Sequence, residues 1–148
     1  MLSIFDQGPP PPCPTPFNLA AHVLRRADAM ADKVALSVLR ADSSDDWSYA
    51  QLKSAVLGTG TGLLRAGLVP GDIVLMRLGN TVDFPIVYLG AIAVGLIPVP
   101  TSSQLTEPET ERMIRDLSPA AILRDPSVAC AAHPNQIGLT DLAAMRDL

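Results

Sequence analysis

The sequence predicts an α/β fold, with a mainly parallel sheet flanked by helices. Short apolar segments that fit buried strands alternate with longer segments of helical periodicity. Four helical segments open on N-capping residues, and those at 49–65 and 107–117 are followed by Gly67 and Pro119. The chain has 148 residues, 48% of them hydrophobic, which is enough for one domain with a buried core. Strands that alternate with helices favour parallel pairing through right-handed crossovers.

The chain opens on a proline-rich segment. Residues 8–16 read GPPPPCPTP. Proline has no backbone N–H and a fixed φ, which excludes helix and central strand. We therefore expect residues 1–16 to form an extended leader. Asn18 is a good N-cap, and the apolar spacing after it predicts a first helix that reaches Met30.

Alternating elements follow. A strand at 34–39 should form a hairpin with 47–49, anchored on the core by Trp47 and Tyr49. The other predicted elements are strands at 73–78, 97–100, 120–123 and 137–139, and helices at 49–65, 82–94, 107–117 and from Asp141.

Side-chain patterns mark the helix starts. Ser48 with Gln51 and Thr106 with Glu109 are spaced as capping boxes. Thr140 is predicted to cap the last helix.

Glycine and proline positions add three expectations. The GTGTG run at 58–62 lies inside a helix and is followed by Leu63, so it predicts close helix packing rather than a dinucleotide fingerprint. The helix at 82–94 is apolar nearly all round, so both of its faces should be covered. Two prolines place the strand at 97–100 at a sheet edge, and Gly67 should end the second helix.

Charge and composition exclude several classes of function. Eleven basic residues against fifteen acidic ones give a net charge of -4, which does not favour nucleic acid. Glycine and proline interrupt the apolar stretch 84–100, which begins the longest uncharged stretch, so no membrane span is predicted. Cys13 and Cys130 are far apart and form no metal-ligand pattern, which indicates a reducing, cytoplasmic setting.

The residues alone predict no catalytic or metal site. The phosphate-binding pattern GxxxxGK[ST] is absent from the sequence. His22 and His133 belong to no set of three or four residues at metal-ligand spacing, and Ser102 and Ser103 lack a nucleophile-elbow motif. Asn80 is expected to shape the loop before the apolar helix.

Six short motifs nevertheless follow one another between residue 17 and about residue 125. They are FNL at 17–19, WSYAQL at 47–52, AGLVPGDIV at 66–74, NTVDF at 80–84, LGAIAVGLIPVP at 89–100 and LTEPE at 105–109. In this order they resemble the N-terminal part of the AMP-forming acyl-CoA synthetases, members of the adenylate-forming superfamily of AMP-dependent synthetases and ligases.

The resemblance implies a parent enzyme that uses ATP to convert a carboxylic acid to an acyl-adenylate and then to an acyl-CoA thioester. The parent would need ATP, magnesium and coenzyme A. Residues 17–148 would be the N-terminal subdomain of the acyl-CoA synthetase fold, truncated before the phosphate loop. The fragment alone would hold no cofactor and be inactive, and its partner would be the rest of the enzyme.

The resemblance also supplies one candidate binding residue. Gln104 stands where family members often carry an arginine that can approach a phosphate of coenzyme A. Glutamine keeps a hydrogen-bond donor and loses the charge. Gln104 is therefore the coenzyme A candidate of this chain.

Two other functions stay open. The same motifs begin the adenylation domains of peptide synthetases, in which a carrier protein would replace coenzyme A. The chain is alternatively a non-catalytic interaction module, since an all-apolar helix needs cover. A homodimer also stays open.

Overall fold

The computed structural model describes residues 8–148, so positions 1–7 of the expected leader lie outside the described residues. Residues 8–16 belong to neither helix nor strand and are exposed. In chain order the elements are α1 (Leu19–Leu24), a 3₁₀ turn (Asp28–Met30), β1 (Val34–Leu39), β2 (Ser44–Ser48), α2 (Tyr49–Arg65), β3 (Ile73–Arg77), α3 (Asp83–Ala93), β4 (Ile97–Pro100), α4 (Glu107–Leu117), β5 (Ala121–Arg124), β6 (Gln136–Gly138) and α5 (Leu139–Arg146).

The central sheet has four parallel strands in the order β4-β3-β5-β6, and β1 and β2 form a separate antiparallel hairpin. Val74 of β3 lies opposite Pro98 of β4 on one side and Ala121 of β5 on the other. The predicted α/β class and the edge position of the proline-containing strand β4 are confirmed. No helix within residues 8–148 is both long and apolar enough to span a bilayer.

Alternation along β3 sends its side chains to two different helical layers. Val74 and Met76 pack in a cluster with residues of α2, α3 and α5, whereas Leu75 packs with residues of α4. Arg77 follows the same period and therefore points to the α4 side. The sheet is thus covered on both faces.

Glycines allow α2 to pack closely against α3 and α5. A Cβ atom at Gly60 would lie 2.9 Å from the carbonyl oxygen of Gly90 on α3. At Gly58 it would lie 2.7 Å from the carbonyl oxygen of Met145 on α5. The predicted close packing of the glycine run is therefore confirmed.

The apolar helix α3 is covered on both faces, as expected from its sequence. Ile86 packs in a cluster with α1 and α2, and Val87 and Ala91 pack against the sheet. None of the residues of α3 is exposed.

The second helix begins and ends as predicted. The Ser48 hydroxyl accepts from the Gln51 N–H at 3.2 Å, and the Gln51 side chain accepts from the Ser48 N–H at 2.8 Å. After the helix, Gly67 has φ +92° and donates its N–H to Leu64, while Leu68 donates to Leu63. This pair of bonds is a Schellman motif, which needs the left-handed conformation that glycine adopts easily.

Hairpin β1-β2 is anchored as expected, with Trp47 and Tyr49 packed against the cluster of α1 and α2. The partner strand was predicted too late in the chain. It occupies Ser44–Ser48 rather than 47–49, because Tyr49 already begins α2.

Two predicted helix boundaries were wrong. The first helix ends at Leu24, because i→i+3 bonds such as Ala27 N–H to Leu24 O replace α-helical ones. This tighter winding lets Leu24 and Ala27, three residues apart, both bury beside α2.

The last helix starts at Leu139 rather than at Asp141, and Gly138 rather than Thr140 is its N-cap. Ile137 pairs with Leu123, which fixes β6 at Gln136–Gly138. The Asp141 carboxylate then accepts from the Gly138 N–H at 3.2 Å.

Candidate functional site at the carboxyl ends of the strands

Ligands of open parallel sheets bind in the crevice beyond the carboxyl ends of the strands. Here β3 ends at Arg77, β4 at Pro100 and β5 at Arg124, so their following loops meet at one edge. A cavity of about 230 Å³ lies there, lined by Leu78, Gly79, Asn80, Phe84, Thr101, Ser102 and Ser103. We call it the strand-end cavity.

The guanidinium of Arg77 lies directly behind this cavity and is fully buried, with 0% exposure. Its Nε donates to Ala129 O at 3.1 Å, and its Nη1 donates to Thr101 Oγ1 at 3.0 Å and to Ser102 O. Its Nη2 donates to Leu105 O at 3.1 Å and to Ala129 O. The five N–H donors of an arginine are thus all used, each on an uncharged oxygen.

Asp125 ties the loop after β5 to the loop after β3. It is only 8% exposed, and its Oδ1 accepts from the Ser127 N–H at 2.8 Å and the Ser127 hydroxyl at 2.7 Å. These bonds, joined by one from the Gly79 N–H, hold the pKa of Asp125 below its usual value. A Cβ atom at Gly79 would lie 3.2 Å from Asp125 Oδ2, so glycine allows the close approach.

The candidate Gln104 is exposed on the loop after β4, and its N–H donates to Ser102 Oγ at 3.3 Å. Its contact with coenzyme A stays a prediction. Asn80 is exposed at the cavity lining, and the side-chain bond within that loop comes instead from Thr81, whose hydroxyl donates to Asp83 Oδ2 at 3.1 Å. Thr81 is therefore the residue seen to shape the start of α3.

The residue types that ligate metals are dispersed over the described part of the chain. Within residues 8–148, no three His, Cys, Asp or Glu side chains gather closely enough to hold a metal ion. His22 interacts with Arg25 Nη1 at 2.8 Å, and His133 Nδ1 interacts with the backbone of Asn135. The lining of the strand-end cavity offers hydroxyl, backbone and Asn80 amide groups to a ligand. These groups lie on loops that Arg77 and Asp125 hold in place.

A larger cavity of about 460 Å³ lies elsewhere, between α1 and α2. Leu24 and Val56 contribute apolar wall, and Lys53 pairs with Asp28 at 2.7 Å near it. It collects no residue from a strand end, so we place the functional site at the strand-end cavity.

Sequence reasoning missed both Arg77 and Asp125. One signal for Arg77 was present, namely a single arginine in the otherwise apolar strand from Ile73. A buried charge in such a strand requires partners, and these come from distant parts of the chain.

The fold is that of the N-terminal subdomain of adenylate-forming enzymes. An artificially fused adenylation–PCP di-domain of a nonribosomal peptide synthetase, NpsA-ThdA from Klebsiella oxytoca, superposes with a TM-score of 0.77 at 16% identity, over 87% of this chain and 24% of that one. A benzoate CoA ligase from Burkholderia xenovorans superposes with a TM-score of 0.71 at 21% identity, over 88% of this chain and 28% of that one.

Sequence similarity then identifies the family. Residues 23–145 match the family model described as AMP-binding enzyme, so the chain belongs to that family. The benzoate–CoA ligase of Thauera aromatica is 32% identical over 119 residues, which are 78% of this chain and 22% of that protein. The 4-hydroxybenzoate–CoA/benzoate–CoA ligase of Rhodopseudomonas palustris is 31% identical over 102 residues, 68% of this chain and 18% of that protein. The chain thus spans about a fifth of the length of these relatives.

Proposed function

We propose that this chain is the N-terminal part of an ATP-dependent ligase that joins an aromatic carboxylic acid to coenzyme A. The acid would first form an acyl-adenylate and then a thioester. The observation that carries this proposal is the 32% identity to a benzoate–CoA ligase over 78% of the chain. The strand-end cavity, at the edge where open parallel sheets bind ligands, agrees with it.

In this proposal residues 17–148 supply the frame of the site. ATP, magnesium and coenzyme A would be held mainly by other parts of the parent enzyme, and the isolated chain would be inactive. Gln104, exposed beside the strand-end cavity, would approach a phosphate of coenzyme A. Cys13 and Cys130 are both free thiols, which agrees with a cytoplasmic setting.

A peptide-synthetase adenylation domain is the second candidate, favoured by the superposition with NpsA-ThdA. At 16% identity this likeness carries the fold alone. The two candidates share adenylate formation and differ in the acceptor of the acyl group, either coenzyme A or a carrier protein. The experiment therefore follows both steps.

The test is a graft of residues 23–145 in place of the matching segment of the Thauera aromatica enzyme. We expect benzoate-dependent ATP–pyrophosphate exchange and formation of benzoyl-CoA. The same graft with Gly60→Leu is the negative control, because a side chain there would collide with α3.

The outcomes are distinct. Exchange without thioester formation would show that the grafted segment supports adenylate formation and not the coenzyme A step. A graft that melts cooperatively but shows no exchange with benzoate, other aromatic acids or fatty acids would overturn the proposal and favour a non-catalytic module.

A further inference from the structure

We propose that Arg77 is a positioning residue that holds the loop after β4 in place and thereby sets the wall of the strand-end cavity and the position of Gln104. Arg77 itself does not line the cavity. It acts through residues that do line it, namely Thr101 and Ser102.

The bonding pattern of Arg77 points to this role. Three of its five hydrogen bonds reach the loop after β4, at Thr101, Ser102 and Leu105. The other two reach Ala129, in the loop between β5 and β6. One guanidinium therefore fastens two loops to the end of the central strand, so that neither loop can shift without breaking a bond.

The cost of burying this group supports the same conclusion. A buried guanidinium is expensive to desolvate, and no carboxylate of residues 8–148 lies within 4.0 Å to form an ion pair with it. An apolar side chain would continue the apolar character of β3 at a lower cost. Because an arginine fork offers five donors in a plane, a lysine cannot reproduce the set.

Arg124 provides a matched comparison within the same sheet. It lies directly opposite Arg77 in the parallel register of β3 and β5. It is partly exposed, and its Nη1 donates to the Gln136 side chain at 2.9 Å. A conservative change at Arg124 therefore alters the same type of residue at the same strand end without touching the loop after β4.

The positioning role is tested by amide hydrogen exchange on the 148-residue chain with Arg77→Lys, and with Arg124→Lys as the control. Arg77→Lys should accelerate exchange in residues 101–106 and 127–131 by roughly tenfold or more, while α3 keeps its protection. Arg124→Lys should leave 101–106 unchanged. Unchanged protection in Arg77→Lys, or an equal loss over the whole chain, would overturn the proposal.

A second variant covers the case in which Arg77→Lys does not fold. Thr101→Val removes one acceptor of Arg77 and the bond that Thr101 donates to Met76 O at 2.7 Å, and it keeps the buried charge. It should accelerate exchange in 101–106 by a smaller factor. No change there would count against the role of Arg77.

The consequence for coenzyme A rests on the proposed function and is measured in the grafted ligase. Arg77→Lys should raise the KM for coenzyme A more than the KM for benzoate, and Arg124→Lys should change neither. Equal changes in both KM values would overturn the link to coenzyme A. An inactive parent graft would count against the proposed function, and the exchange experiment would still decide the positioning role.

Discussion

Two regions of the molecule are held together by different interactions. One is the helical layer formed by α2, α3 and α5, and the other is the set of loops at the strand ends. In the helical layer, backbones touch through glycines, as between Gly60 and Gly90. At the strand ends, buried polar side chains connect loops that share no regular secondary structure, as Arg77 and Asp125 do.

Because of this difference, the two regions tolerate different kinds of substitution. Close backbone packing fails when volume is added, because neither helix can move away without opening the core. A polar connection fails when a donor or acceptor is removed, because its buried partner is left unsatisfied. Variants in the two regions test this contrast, and a variant in an exposed helix cap completes the series, beginning with the largest expected effect.

Gly60→Leu should damage the helical layer most. A Cβ atom there would already lie 2.9 Å from both Gly90 O and Val94 Cγ1. We expect the free energy of unfolding to fall by about 3 kcal/mol, measured by urea denaturation followed by circular dichroism. Thr61→Leu places the same side chain one residue further on, at an exposed position, and should cost little. Equal losses in the two variants would contradict the packing account.

Asp125→Asn should weaken the strand-end loops by a smaller amount. The carboxylate accepts charge-assisted bonds from Ser127, so its loss should cost about 2 kcal/mol at neutral pH. Urea denaturation of Asp125→Asn and of Asp116→Asn, which changes an exposed residue of α4, measures the difference. A loss of similar size at Asp116 would show that the effect is general charge removal.

Lowering the pH should reproduce part of this loss of stability in the unaltered chain. Because the folded-state pKa of Asp125 is lowered, its stabilisation is present above the unfolded-state pKa of about 4. It is lost as the pH falls through the lowered folded-state value. Denaturation midpoints measured at successively lower pH should therefore fall less in Asp125→Asn than in the unaltered chain. An equal fall of the midpoint with pH in both proteins would contradict the assignment.

Glu109→Ala should have the smallest effect, because its capping bond lies in solvent. The carboxylate accepts from the Thr106 N–H at 2.8 Å and from the Thr106 hydroxyl at 2.7 Å, and these bonds lower its pKa. Faster amide exchange should be confined to the first turn of α4. Glu111→Ala on the same helix is the control, and a response that spreads to β3 would show that the cap does more than close the helix end.

The helical layer was largely predictable from the sequence because its signals are local. The capping box at Ser48 and Gln51 spans three residues, and the glycine run at 58–62 lies within one helix. The motif order also led to the correct family, since it needs no three-dimensional contact. Where a boundary was missed, as in the first helix, packing of Ala27 beside α2 overrode the local periodicity.

The candidate site was less predictable because its contacts are distant in the chain. The partners of Arg77 lie 24 to 52 residues away along the sequence. Asp125 reaches back to Gly79 in the same way. No periodicity or short motif encodes such pairings, so only the sheet order could reveal them.

We propose that this chain supplies the frame of the site while other parts of the parent enzyme bind ATP. The most direct test is calorimetric titration of the isolated chain with ATP in the presence of magnesium. The account predicts no saturable heat, because it assigns the binding of ATP and magnesium mainly to other parts of the parent enzyme. Saturable ATP binding by the folded chain would contradict it, since the frame would then hold the nucleotide by itself.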